Sequence, residues 1–257
     1  MPHPHTVRTA RALLHQHAPA TIARRLEDGR SPSYLGDAVL GAIDGTVTTF
    51  AVVAGAAGAG LSPGVALIVG LSNVVADGFS MAAGNTLRAR ADHEILAEAR
   101  AMEERHVDEI PEGEREEVRQ IFAAKGFSGQ TLEEVVSIVT SDRRRWVDTM
   151  LTEELGLRLE LPSPLRTGAI TFSAFVMAGF VPLLPLFFVQ ALEPRGGVFL
   201  ASVAATALAF FGIGWGKGRV LGRPPVRAGL ETFVVGALAA GLAYLVGLLV
   251  GRLALAT

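Results

Sequence analysis

The chain has 257 residues, half of them apolar, with 29 glycines and a formal net charge of only −2. Together with a mean hydropathy of +0.39, this composition is typical of an integral membrane protein that uses small residues for close helix packing. Cysteine is absent, which excludes disulfides, thiolate metal sites and cysteine nucleophiles.

The N-terminal segment, residues 1–36, contains several arginines but lacks the apolar core of a signal peptide. Its pattern favours a basic amphipathic helix that lies on the membrane surface. A leader helix that is simply solvated fits the same pattern, so the sequence leaves both interpretations open.

Five segments are apolar enough to cross a membrane as helices, which takes about 20 residues each. Ser62 and Pro63 separate the first two, so a tight turn makes these helices antiparallel neighbours. Pro182 and Pro185 should kink the third. The predicted spans are Asp37–Leu61, Gly64–Leu87, Thr167–Leu192, Gly196–Gly216 and Ala228–Gly251. The fold class is therefore an all-α integral membrane protein, with divisions predicted at 1–36, 37–87, 88–166 and 167–257.

Lysine and arginine are distributed unequally between the two ends of these spans. The N-terminal segment, the region between spans two and three, and the loop between spans four and five hold 5, 12 and 4 of them. Only Arg195 and Arg252 lie at the opposite ends. Because positive charge is retained in the cytosol, we expect a cytosolic N-terminus and insert, and a C-terminus outside.

The insert, residues 88–166, is the one polar region between spans, with 18 acidic against 12 basic residues and thus a formal charge of −6. The sequence predicts three helices in the insert. The first continues span two into the insert to about Asp108, and Pro111 ends it. The second helix should cover Glu112–Lys125. The third should begin at a capping box formed by Thr131 and Glu134 and end at Leu155, before Gly156.

Two aspartates interrupt the apolar spans. Asp44 is the one charged residue in 38–76, and Asp77 is the one in 65–87. A charge at the centre of a bilayer costs about 2.5–3.5 kcal/mol on insertion scales, so such residues usually mark an ion path or a proton relay. Two of them on neighbouring spans predict a path for a cation.

Each aspartate belongs to a set of residues that recur at helical spacing and so form a stripe along its span. On span one they are Asp37, Gly41, Asp44 and Thr48; on span two they are Asn73, Asp77, Ser80, Met81 and Asn85. Oxygen ligands with one thioether suit a first-row transition metal such as Fe²⁺ or Mn²⁺ better than Mg²⁺ or Ca²⁺. The alternative is that these residues pair with each other across a helix interface, and for Asp37 a helix cap is the simpler interpretation.

The insert contains three pairs of potential metal ligands. They are Glu103 with His106, Glu114 with Glu117, and Met150 with Glu154. Three short helices can bring such pairs together, and a divalent cation relieves the repulsion among the carboxylates. Solvated acidic helix faces remain the alternative. Glu103 and His106 also form one Glu-x-x-His motif, whereas ferritin-like di-iron bundles require two, so a ferroxidase-like enzyme is a minor alternative.

Several strings resemble the vacuolar iron transporter family, which includes the yeast vacuolar iron/manganese carrier. They are DAVLGAIDGTVTTFAVVAGAAGAGLSPG, NVVADGFSMAAGN, PEGEREEVRQIFAAKG, MLTEELGL and SAFVMAGFVPLLPL, in the family's order from Asp37 to the C-terminus. The resemblance implies five transmembrane helices, a homodimer with a path at its interface, and proton-coupled export of Fe²⁺ or Mn²⁺ from the cytosol. It also implies that the helical insert binds metal for the pore.

Carried over by position, the resemblance implies that Asp44 and Met81 are pore ligands. It implies that the insert ligands are Glu103, Glu114, Glu117, Met150 and Glu154. This chain departs from the family by having His106 and Leu151 where Glu is frequent, and only the histidine can still bind metal. Asp77 and Asn85 are a further departure, which resembles a bacterial subgroup.

The sequence therefore predicts a dimeric transporter in the bacterial inner membrane, an antiporter that exchanges Fe²⁺ or Mn²⁺ for protons. Its partners are divalent metal ions, protons, membrane lipid and a second copy, with no nucleic acid. No cofactor is expected beyond the transported or bound metal, which in the insert includes Zn²⁺ or other divalent ions. A metal-sensing or structural membrane protein without flux is the rival class.

Overall fold

The computed structural model describes residues 17–27, 32–191 and 195–254, which are helical with no strand. Most of the predicted N-terminal segment lies outside these residues, as does Leu192 at the predicted end of span three. The helices are α1 (Pro19–Glu27), α2 (Leu35–Gly58), α3 (Pro63–Glu109), α4 (Pro111–Ala124), α5 (Gly129–Thr140), α6 (Arg143–Thr149), α7 (Pro164–Leu183), α8 (Arg195–Val220) and α9 (Pro225–Ala254).

Five of these helices, α2, α3, α7, α8 and α9, are long and apolar enough to cross a membrane. The five predicted spans are therefore confirmed as helices. α3 is 47 residues long, which corresponds to about 70 Å at 1.5 Å per residue. The hydrocarbon core of a bilayer measures only about 30 Å, so the second half of α3 extends past it, as predicted for residues up to Asp108.

α2 and α7 pack with their backbones in direct contact. A Cβ atom added at Gly41 would overlap the carbonyl oxygen of Thr171, and one added at Gly45 would overlap that of Phe175. The small-xxx-small pair at these glycines thus permits the close approach that membrane helices use in place of hydrophobic burial. Gly41 and Gly45 therefore mark the face of α2 that packs against α7. Asp44, the residue before Gly45, lies on a different face of the same helix.

The helix of the third span changes its geometry near Pro182 and Pro185, where the sequence predicts a kink. α7 ends at Leu183, one residue after Pro182, and the chain continues as a 3-10 helix over Leu184–Ala191 with a kink at Phe188. Because proline cannot donate its backbone N–H, it weakens the α-helical ladder at this point.

The chain divides into two compact units. The spanning unit comprises Tyr34–Arg105 and the described residues from Pro162 onward, and the insert unit comprises His106–Leu161 with the described residues before Tyr34. The insert unit has its own apolar core of Val118, Val136, Val139, Trp146 and Met150.

The predicted third helix of the insert is broken in two. α5 ends at Thr140, and α6 begins after Asp142, whose side chain accepts a hydrogen bond of 2.7 Å from the Arg145 N–H. The predicted capping box is wrong, because Thr131 lies inside α5, whose N-cap is Ser128. A π-helical turn, Met150–Glu154, follows α6, and Gly156 ends it at φ +63° as predicted.

Candidate functional site

The two aspartates of the spans lie near each other. Asp44 on α2 and Asp77 on α3 lie close enough for their carboxylates to repel electrostatically. Both side chains are half-buried, and within the described ranges neither forms an ion pair with a lysine, arginine or histidine. Two like charges in an apolar surrounding are stabilised by a bound cation or by protonation. The pair is therefore suited to hold a cation.

Side chains of α3 extend this site. Asn73, one turn before Asp77, donates a hydrogen bond from Nδ2 to the aspartate Oδ2. The Oδ1 atom of Asn73 is buried and accepts no hydrogen bond from the described part of the chain, so it has acceptor capacity for a ligand. Met81 lies one turn after Asp77 and is half-buried. The α3 segment thus offers a carboxylate, an amide oxygen and a thioether along consecutive turns.

The residues of the predicted polar stripes near the start of α2, Asp37 and Asn85, form a separate network of hydrogen bonds and ion pairs. Asn85 on α3 donates to Thr171 of α7 at 2.8 Å and to Asp37 of α2 at 3.4 Å. Arg88 lies 3.7 Å from Asp37 and also hydrogen-bonds Asp92 at 3.2 Å. Asp37 is therefore in the first turn of α2 and paired with an arginine, and it is not the N-cap, which is Tyr34.

A second acidic cluster lies where α3 ends and α4 begins. His106 Nδ1 is 3.2 Å from Glu114 Oε1, and Glu103 precedes His106 by one turn of α3. One ligand atom from each of these three residues lies within 4.8 Å of the others. Glu103 and Glu114 are only 2% and 1% exposed. Buried carboxylates together with an imidazole are a ligand set for first-row divalent ions.

The remaining predicted insert ligands are not part of this cluster. Glu117 and Glu154 are exposed. Met150 is fully buried in the apolar core beside Val118, and Leu151, at the position where the family often has Glu, is also buried. The π-helical turn changes the side-chain register, so Met150 and Glu154 do not share the environment that their spacing predicts.

Sequence reasoning missed the partners of the polar residues. It named Asn73 and Asn85 as members of one stripe, whereas the first supports Asp77 and the second belongs to the network with Thr171 and Arg88. Thr171 carries no signal in the sequence, because a threonine in an apolar helix usually hydrogen-bonds its own backbone. It does so here as well, donating to Thr167 O at 2.9 Å.

Comparison with known proteins gives concordant matches. A family model described as the VIT family matches residues 35–248. The chain is 34% identical over 212 residues to Vacuolar iron transporter 1 of Arabidopsis thaliana, covering 81% of this chain and 82% of that protein. It is 34% identical over 224 residues to Vacuolar iron transporter of Toxoplasma gondii, covering 84% and 74%. It is also 34% identical over 212 residues to Vacuolar iron transporter 2 of Oryza sativa subsp. japonica, covering 81% and 84%.

Proposed function

The chain belongs to the VIT family, and on this premise we propose that it exports Fe²⁺ or Mn²⁺ from the cytosol in exchange for protons. The observation that carries the proposal is the pair of electrostatically interacting aspartates, Asp44 and Asp77, inside helices long and apolar enough to cross a membrane. Its relatives are transporters by name, so the protein is a transporter and not an enzyme.

The aspartate pair accounts for both the metal and the proton. A divalent ion between Asp44 and Asp77 cancels both negative charges in a surrounding where isolated charges are expensive. When the ion leaves, protons take over the same neutralising role. Exchange of one species for the other at a shared pair of carboxylates is the physical basis of antiport.

The donor set favours transition metals. Asp44 and Asp77 supply hard oxygen, whereas Met81 supplies a polarisable sulfur that Mg²⁺ and Ca²⁺ do not prefer. Asn73 holds the Asp77 carboxylate by its hydrogen bond, in the way that outer-shell groups orient metal ligands. The names of the relatives favour iron, and Mn²⁺ fits the same ligands.

The exposure of this site supports a homodimer. Asp44, Asp77 and Met81 are each half-buried in the single chain, so part of every ligand would otherwise face lipid. A second copy packed over this face would replace lipid by protein and complete the ion path between the two chains, because charged residues in membranes face a bundle interior.

The distribution of basic residues supports the direction of transport. The N-terminal segment, the insert and the loop between α8 and α9 carry nearly all lysines and arginines, which supports a cytosolic location for all three. The Glu103, His106 and Glu114 cluster of the insert would then bind metal on the cytosolic side and raise its local concentration. The same argument supports a C-terminus outside, and the departures that resemble a bacterial subgroup favour the bacterial inner membrane.

Flux through the full-length protein in proteoliposomes tests the proposal. Fe²⁺ under reducing conditions, Mn²⁺ and Mg²⁺ would be compared with and without a pH gradient, with an internal metal-sensitive dye and a pH dye. We expect Fe²⁺ or Mn²⁺ flux that depends on the gradient and is accompanied by opposite proton movement, with little Mg²⁺ flux. Metal binding without any flux would instead support a sensing or structural membrane protein.

A further inference from the structure

An apolar groove of about 700 Å³ runs between α2, α7 and α8 on the surface of the spanning unit. α2 contributes Ala38 and Ala42, while α7 contributes residues from Ala169 to Val181 and α8 contributes residues from Ala209 to Gly216. Apart from Ser173, all the lining residues have apolar side chains or none. Neither Asp44 nor Asp77 is among the lining residues, and the proposed transport mechanism does not use this groove.

Two arginines lie at one end of the groove. On α7, Arg166 precedes the lining residues Ala169 and Ile170 by three and four positions, so it continues their row by one turn. On α8, Arg219 follows the lining residue Gly216 by three positions. Both arginines are exposed, and within the described ranges neither forms an ion pair.

This end of the groove has the features of a membrane–water interface. Arg219 stacks over the ring of Trp215 at 4.9 Å, and Trp215 is itself 39% exposed. Tryptophan and arginine at the ends of spans are typical of the headgroup level. Basic pockets between membrane helices on the cytoplasmic side are known binding sites for anionic headgroups.

We propose that this groove binds one anionic phospholipid, with an acyl chain along the small residues of α7 and α8 and its phosphate between Arg166 and Arg219. The apolar lining fits a hydrocarbon chain, and the two cations fit the charge of the phosphate. A second copy of the chain would also cover apolar surface, but it would leave the two arginines without a counter-charge. The proposal does not depend on the identity of the transported ion.

Two sets of variants separate headgroup from chain recognition. Arg166→Gln with Arg219→Gln removes the cations, and Arg252→Gln removes one positive charge at the other end of the membrane as a control. Gly212→Leu fills the groove, since a Cβ at Gly212 meets no atom within 4 Å. Gly241→Leu is its matched control, because Gly241 is equally open and lies on α9 outside the groove.

Native mass spectrometry of the full chain in detergent, with equal amounts of dioleoyl phosphatidylglycerol and dioleoyl phosphatidylcholine, provides the test. We expect one retained phosphatidylglycerol per chain. The double arginine variant should lose about twenty-five-fold in affinity for it, from about fivefold for each cation near an anionic headgroup. Gly212→Leu should lose both lipids, and the two controls should bind as the wild type does.

Equal retention of the two lipids by the wild type would overturn the proposal, as would an Arg252→Gln effect as large as that of the double variant. Unchanged phosphatidylglycerol binding by Gly212→Leu would show that the chain lies elsewhere. Loss of the dimer in Gly212→Leu with lipid binding intact would identify a second copy as the occupant, and would equally contradict the assignment.

Discussion

The spanning helices and the insert each contain close acidic side chains, but they surround them differently. In the insert, Glu103 and Glu114 are almost fully buried, and the Nδ1 atom of His106 lies 3.2 Å from Glu114 Oε1. In the spans, Asp44 and Asp77 are half-buried and repel each other. We therefore propose that the insert cluster retains an ion, whereas the spanning pair takes one up and releases it. The predictions below test this contrast.

The largest effect is expected from Asp77→Asn. The substitution keeps the shape and removes one of the two charges, so the pair no longer matches a divalent ion. Removal of a group that only supports a metal ligand already lowers metal affinity or activity by about 10–100-fold. Loss of a ligand itself should therefore lower Mn²⁺ flux in proteoliposomes by at least about a hundredfold. Glu231→Gln, an exposed partner of Arg227 on α9, is the control. Normal flux in Asp77→Asn would contradict a role for Asp77 in binding the ion and would show that the residue is structural.

Substitutions in the insert cluster should change metal binding more than metal flux. His106→Ala removes the imidazole from the cluster and should weaken Mn²⁺ or Zn²⁺ binding to the insert by about 10–100-fold. Calorimetry on the full-length protein in detergent measures this, with His93→Ala as a control histidine outside the cluster. If His106→Ala binds metal as the wild type does, the insert cluster is only a charge pair between α3 and α4.

The spanning unit should be sensitive to a single methyl group. In Gly45→Ala the new Cβ overlaps the Phe175 backbone, and overpacking of this kind costs about 1–3 kcal/mol. Gly55→Ala, where a Cβ meets no atom, should leave stability unchanged or raise it slightly. Thermal unfolding in detergent compares the two. Equal melting temperatures would mean that α2 and α7 do not depend on this contact.

The smallest effect concerns the surface of the insert. Hydrogen bonds from Arg119 lower the pKa of Glu133 below its ordinary value of 4.5. A lowered pKa stabilises the fold above pH 4.5, and this contribution disappears as the pH falls through the pKa of the folded state. Arg119→Gln should therefore flatten the loss of insert stability below pH 4.5. Denaturation followed by Trp146 fluorescence in a Trp215→Phe background measures it, and an unchanged pH profile would contradict the assignment.

The sequence alone predicted the five spans, because a long apolar run in a membrane protein has few alternatives to a spanning helix. It also predicted a kink in the third span at Pro182 and Pro185, where α7 is followed by a 3-10 helix, and the extension of α3. The break between α5 and α6 was missed, although Asp142 is a good N-cap and lies three residues before the N–H that it binds. The capping box at Thr131 was wrong because Ser128 and Gly129 already begin α5.

The candidate site was only partly accessible to sequence reasoning. Helical spacing identified Asp44, Asp77 and the Glu103 and His106 pair, since each depends on one helix or on the cost of a charge in an apolar run. Spacing could not show that Asn73 supports Asp77, or that Asn85 joins Thr171 and Asp37, because those choices depend on neighbouring helices. The burial of Met150 depends on a π-helical turn, which has no clear sequence signal.

The most direct test compares Asp44→Asn with Glu114→Gln in the same proteoliposome assay across a range of Mn²⁺ concentrations. If the spanning pair carries the ion and the insert only collects it, Asp44→Asn should show no flux at any concentration. Glu114→Gln should be slow at low Mn²⁺ and recover at high Mn²⁺. Flux through Asp44→Asn that approaches the wild type would contradict the account, as would a Glu114→Gln defect that no concentration of Mn²⁺ relieves.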